Sequence, residues 1–157
     1  MTRPRRLEEQ QRLLWKAYRD VYQGLSAALQ AQLLRDAGLS LPEYAVLVAL
    51  SYAPDGIMRA RDLCTELAWD RSRLSHLVAR MENRGLVTRE KCEEDARGSM
   101  VCLTDAGRSA VEDAAPEHSE AIRRYFFDVL TKDEVETLAT TFERLLDNLR
   151  NERVIGT

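Results

Sequence analysis

Apolar residues recur every three or four places across the first long segment, about 7–34, where Leu14, Tyr18, Val21, Leu25, Ala28 and Leu29 share a helical face. Gly38 fits the stop of that helix. Ser40-Leu41-Pro42-Glu43 opens the next one: serine can cap, proline suits a first turn, and Glu43 can reach back to complete a capping box. This second helix, about 41–53, is apolar nearly all round, which marks it as central. Pro54-Asp55-Gly56 closes it with turn chemistry. Ile57-Met58-Arg59 is long enough only for a strand stub. Two short helices are predicted over 60–67 and 71–84, separated by Ala68-Trp69-Asp70, with Gly85 where a C-terminal glycine belongs. Segments 86–92 and 99–103 read as two strands joined by a polar loop, a hairpin. Thr104 caps a helix running to about 130, with Pro116 expected to bend it. Thr131-Lys132-Asp133-Glu134 is another capping box. The last helix, to about 150, sets Val135, Leu138, Phe142, Leu145 and Leu149 at alternating steps of three and four, as in a coiled-coil seam.

The predicted class is mainly α with one small hairpin (α+β). At 157 residues, 45% of them hydrophobic, the chain has the length of a single domain with a real core. A lobe over 40–104 is flanked by helical regions over 7–38 and 105–150. No apolar run reaches membrane length, and no signal-peptide pattern follows Met1-Thr2-Arg3-Pro4-Arg5-Arg6, so a cytoplasmic protein without membrane contact is expected. A net charge of −3 is not the overall signature of a nucleic-acid binder, leaving only a local basic surface for that role. Cys64, Cys92 and Cys102 lack metal-ligand spacing and only two histidines accompany them, so neither a metal nor a cofactor is expected. Glycine-rich phosphate loops, nucleophile elbows and clustered acid/base groups are missing from the sequence, which argues against an enzyme.

Helix, short turn, helix, glycine, hairpin is the layout of a winged helix-turn-helix. On helix 71–84, Leu74, Leu77, Val78 and Met81 form a stripe that must face a core. Arg71, Ser72, Arg73, Ser75, His76, Arg80 and Asn83 occupy the other face, with groups able to hydrogen-bond base edges or phosphates. Asp70 is placed to cap this helix. Taken alone, the same face also fits an ordinary solvated helix. In the hairpin loop, 93–98, Asp95 can hold the Arg97 guanidinium outward, and an arginine at a hairpin tip suits the negative potential of a narrow minor groove. Arg89 and Lys91 on the first strand add charge for phosphates, against which Glu93 and Glu94 work.

From 63 to 107 the chain resembles the winged helix-turn-helix of the MarR family of bacterial transcriptional regulators. The residues carrying the resemblance are Arg71-Ser72-Arg73-Leu74-Ser75, then Gly85-Leu86-Val87 with Arg89, and above all Asp95-x-Arg97-Gly98-x-x-Val101-x-Leu103-Thr104-x-x-Gly107. The flanking helices match the family's layout too. The resemblance implies a homodimer with interlocked terminal helices, acting as a repressor on a pseudo-palindromic double-stranded DNA operator. Ser72, Arg73, Ser75, His76 and Arg80 would then work in the major groove and Arg97 in the minor groove. A winged-helix dimer that binds a protein partner is the alternative; the positive, hydroxyl-rich outward face favours DNA.

Some members of the family sense oxidants through a cysteine near the start of the first helix, and this chain has no cysteine before Cys64. Cys92 and Cys102 fall on the two hairpin strands, where cysteine commonly serves as a small apolar residue. Other members bind small aromatic ligands between the dimerisation helices and the DNA-binding lobe. Trp15, Tyr18, Tyr22, Tyr44 and Tyr52, with His118, are the residues that could line such a pocket, although aromatics on helix faces are more often core. Phe126-Phe127, near a dimer seam, is most simply core.

Overall fold

The computed structural model describes residues 5–91 and 98–152. Its elements run α1 (Glu9–Ala37), α2 (Leu41–Tyr52), β1 (Ile57–Arg59), α3 (Ala60–Leu67), α4 (Arg71–Asn83), β2 (Val87–Lys91), β3 (Ser99–Leu103), α5 (Asp105–Ile122) and α6 (Lys132–Asn151). The caps fall where the sequence places them. Ser40 accepts from the Glu43 N–H while Glu43 reaches back to the Ser40 N–H, and Thr131 and Glu134 repeat the exchange at α6. Asp70 accepts from the Arg73 N–H and Thr104 from the Gly107 N–H. Helix α1 begins two residues later than the periodicity suggests and continues to Ala37, until Gly38 in the left-handed region ends it.

The sheet has three strands, in the order β1-β3-β2, all antiparallel. The hairpin β2–β3 is as expected. The strand stub also joins it, setting Ile57 opposite Cys102 and Arg59 opposite Met100. Gly85 (φ 73°) terminates α4 in a Schellman motif: the Gly85 N–H donates to the Glu82 carbonyl and the Leu86 N–H to that of Met81. This turn feeds α4 directly into β2.

Leu33 and Leu39, Val46, Leu47 and Leu50 of α2, Leu63 of α3, the four-residue stripe of α4, and Val87 and Val101 of the sheet form one buried cluster. Helix α4 is thereby held on its apolar side, leaving the other side to solvent. Gly107 lets α5 lie on the end of the sheet, because a Cβ there would sit 2.0 Å from the Leu86 carbonyl oxygen.

Two expectations need correction. Helix α5, with Pro116 inside it, ends at Ile122, short of the expected 130, and gives way to a π-helical turn over Arg123–Phe127. Phe126 and Phe127 do pack edge to face, with ring centroids 5.1 Å apart, but Phe127 is exposed in the single chain and neither ring joins the core.

Both terminal regions carry uncovered apolar surface. Leu13, Leu14, Trp15, Tyr18, Val21 and Tyr22 are at least half exposed along the first half of α1. No residue of α6 is buried, and Phe142, Leu145, Leu146 and Leu149 stand open along it.

Candidate nucleic-acid interface

Helix α4 is a short rod with two opposite characters. Leu74, Leu77, Val78 and Met81 are at most 3% exposed, whereas Arg71, Ser72, Arg73, Ser75, His76, Arg80 and Asn83 all face solvent. Burial of the first set fixes the rotation of the helix, and that rotation projects the second set away from the protein. Helical spacing then sorts the outward residues. Ser72, His76 and Asn83 fall near the centre of the face, Arg73 and Arg80 along one flank, and Arg71 and Ser75 along the other.

A concave notch of about 470 Å³ lies beside the Arg71 flank. Arg59, Arg61, Cys64, Arg71, Ser75 and Arg89 are among its lining residues. Four guanidinium side chains from β1, α3, α4 and β2 thus meet around one hollow, a concentration of positive charge on a chain of net charge −3. Arg59 and Arg61 were not among the residues expected from the sequence. Their spacing across the end of a strand stub carried a signal, but only β1 pairing with β3 brings them beside α4.

Acidic residues tie down part of this charge. The Glu82 carboxylate accepts from the Arg89 backbone N–H and from its Nε, both at 3.1 Å. Arg89 is therefore docked onto the end of α4, and Arg61 lies 3.3 Å from Asp62. The Arg73 guanidinium carbon sits 4.2 Å from the ring centroid of Trp69, a cation–π contact. Burial pushes the Cys64 thiol above its ordinary 9.0, outweighing the opposite pull of Arg71, and Cys102 is pushed up the same way. Neither is held as a reactive thiolate at neutral pH.

Asp95 and Arg97 of the expected wing lie outside the described residues, as do Cys92 and the side chain of Lys91. Lys91 ends β2, opposite Ser99. The residues weighed for a small aromatic ligand separate into groups. Trp15, Tyr18 and Tyr22 stack in a row on the exposed half of α1, with centroids 5.3 and 6.4 Å apart. Tyr44 and His118 meet elsewhere, 4.5 Å apart, where α2 and α5 pack against the buried Gln32 of α1. Tyr52 stands in solvent at the end of α2. Among the described residues no cluster of three or more metal-ligating side chains occurs, and no helix is long and apolar enough to cross a membrane.

Comparison with known proteins agrees with this geometry. The model of the MarR family matches residues 37–98, from the end of α1 through α4 and β2 and stopping just before β3. The transcriptional regulator HosA of Escherichia coli is 31% identical over 109 residues, covering 69% of this chain and 78% of its own length. A MarR family transcriptional regulator of Streptomyces coelicolor, solved in complex with DNA, superposes with a TM-score of 0.88 at 37% identity, covering 93% of this chain and 92% of that one. AbsC, a second such regulator from the same organism, gives a TM-score of 0.87 at 34% identity, covering 94% of this chain and 99% of its own. All three are regulators of transcription, not enzymes. With its winged helix, its α4 face and these relatives, the chain belongs to the MarR family of transcriptional regulators.

Proposed function

We propose that the protein is a homodimeric repressor that binds a pseudo-palindromic double-stranded DNA operator, with α4 in the major groove and the 93–98 wing in the minor groove. The observation that carries this reading is the outward face of α4, where Ser72, Arg73, Ser75, His76 and Arg80 stand in solvent on a helix locked by its buried stripe. Hydroxyl, guanidinium and imidazole groups on a rigid rod of this width match the donor and acceptor pattern of a major groove. The notch at Arg71 would seat backbone phosphates beside the base-reading face, positioning without specifying. Binding of DNA by the regulator at 37% identity supports the same assignment.

The division of labour follows from packing. Segment 40–104 is the DNA-reading lobe, and 7–38 with 105–150 is the dimerisation region. The uncovered apolar faces of α1 and α6 are each other's natural cover in a second copy, because a monomer rarely leaves such long stripes in water. A two-fold dimer would set the two α4 helices on half-sites about one helical turn apart. Arg97, steadied by Asp95, is assigned to the minor groove, and Lys91 with Arg89 to the phosphates.

Titration of duplexes from the region upstream of its own gene, at several salt concentrations, tests the proposal. Specific binding that weakens steeply with salt is expected, since each phosphate contact releases a counterion. Absence of salt-sensitive binding to every such fragment would overturn it in favour of a protein-binding winged helix.

A further inference from the structure

The turn between α3 and α4 is built unusually. Ala68 occupies the left-handed region at φ 52°, a conformation that disfavours any residue with a Cβ. It ends α3 in a Schellman motif: the Ala68 N–H donates to the Thr65 carbonyl at 3.2 Å and the Trp69 N–H to that of Cys64 at 2.9 Å. Trp69 is therefore the residue that the motif folds back onto its own helix, and its indole is half-buried against the core cluster. Two residues later α4 begins, capped by Asp70, whose carboxylate accepts from the Arg73 N–H at 2.8 Å.

Arg73 is thus held at both ends. Its backbone is fixed by the cap and its guanidinium lies over the Trp69 ring, 4.2 Å from the centroid. Among the described residues no carboxylate pairs with that guanidinium. A cation–π contact engages the flat face of the group and leaves the N–H donors along its edge available. An exposed arginine ordinarily loses rotamer freedom when it meets a base or a phosphate, and here much of that loss has already occurred in the free protein.

We propose that Trp69 is a positioning residue for DNA recognition: it presets Arg73 so that the first turn of α4 presents one fixed, outward donor to the duplex. This rests on the DNA-binding reading above. Trp69 touches no base in this scheme and acts only through Arg73.

A double-mutant cycle tests it, using a duplex enriched from a random-sequence library by the wild-type protein and a scrambled duplex as reference. Failure of the wild type to enrich any sequence would sink the DNA reading itself, before any variant is made. Given enrichment, Trp69→Leu is expected to weaken binding to the enriched duplex by about 3- to 5-fold, the size of an exposed cation–π contact. Trp69→Phe, which keeps an aromatic face, should recover part of the loss. In the Arg73→Ala background, Trp69→Leu should cost nothing further. The salt slope should fall in Arg73→Ala, by about one counterion if Arg73 meets a phosphate, but stay unchanged in Trp69→Leu, which keeps the charge. Equal losses from Trp69→Leu with and without Arg73 would overturn the proposal, as would wild-type affinity in Trp69→Leu. If Trp69→Leu does not fold, Trp69→Phe in the wild-type and Arg73→Ala backgrounds decides: its smaller loss should vanish without Arg73, and an equal loss in both would overturn the proposal.

Discussion

The Arg84 guanidinium donates to both carboxylate oxygens of Glu43 at 2.8 Å and, through its other terminal nitrogen, to the Gly38 carbonyl at 2.9 Å. Arg84 caps the C-terminus of α4, Gly38 ends α1 and Glu43 lies in the first turn of α2. One side chain therefore fastens the C-terminus of α4 to the junction between α1 and α2. Burial alone would raise the pKa of Glu43, but the Ser40 N–H and Arg84 outweigh it and hold the carboxyl below its ordinary 4.5. Arg84→Met would leave that carboxylate buried without its cation. We expect a loss of about 1–2 kcal/mol at neutral pH, reduced from the fully buried case because Arg84 is partly in solvent. A depressed carboxylate contributes stability above its unfolded pKa and loses it as pH falls through the folded one. The gap between wild type and variant in urea unfolding should therefore narrow below pH 4.5. A gap that persists undiminished in acid would mean that packing, not charge, is what Arg84 supplies.

His118 titrates with the opposite group type but the same sign. Its Nδ1 lies 2.8 Å from Gln32 Oε1, so the ring donates there, and the Gln32 amide in turn donates to Asp36 at 3.1 Å. Tyr44 covers the ring from α2. Burial lowers the pKa below its ordinary 6.5, so the unfolded chain accepts a proton more readily than the folded one. Stability should decline as pH drops from 6.5 towards the folded value, and His118→Gln should flatten that part of the curve. Matching pH profiles for the two proteins would rule this out.

Gly107 is needed for space, not for backbone freedom. A Cβ at that position would meet the Leu86 carbonyl oxygen at 2.0 Å and Leu103 Cδ1 at 2.8 Å, and the backbone of Leu86 cannot retreat without moving the sheet. Gly107→Ala should destabilise by about 3 kcal/mol, the upper range of overpacking, and lower the melting temperature by roughly 6–12 °C. Thermal unfolding followed by circular dichroism checks this; an unchanged midpoint would contradict the close approach.

Leu145 stands about half exposed in the apolar stripe of α6. Leu145→Glu places a charge in the surface assigned to the second copy, and desolvating it there is unfavourable. Sedimentation should show the wild type as a dimer and the variant as monomer or aggregate. A variant that remains dimeric would move the interface elsewhere.

The wing assignment is tested by Arg97→Ala and Asp95→Ala. The first should weaken operator binding without altering thermal stability. The second should do so less, by leaving the arginine unsteadied. Equal affinity for wild type and both variants in the same titration would remove the wing from the interface.

Local chemistry makes most of the helices legible in the sequence by itself. Ser40 with Glu43, Thr131 with Glu134, Asp70 and Thr104 each satisfy amides within three residues, so their neighbours alone specify where a helix begins. The apolar stripe of α4 likewise announces which side must turn inward. Trp69 and Arg73 are only four residues apart, yet helical spacing alone does not lay the guanidinium over the indole; the Schellman turn at Ala68 does. Features that depend on docking are not visible in the chain. The strand stub at Ile57–Arg59 becomes β1 only because β3 offers it a ladder, and that pairing carries Arg59 and Arg61 to the side of α4. The Arg84–Glu43 clasp joins residues 41 apart, and no periodicity reports a contact of that range. The seam on α6 lies between these cases. Its spacing marks an apolar stripe, while the surface that must cover it belongs to no element of the same chain that the structure describes.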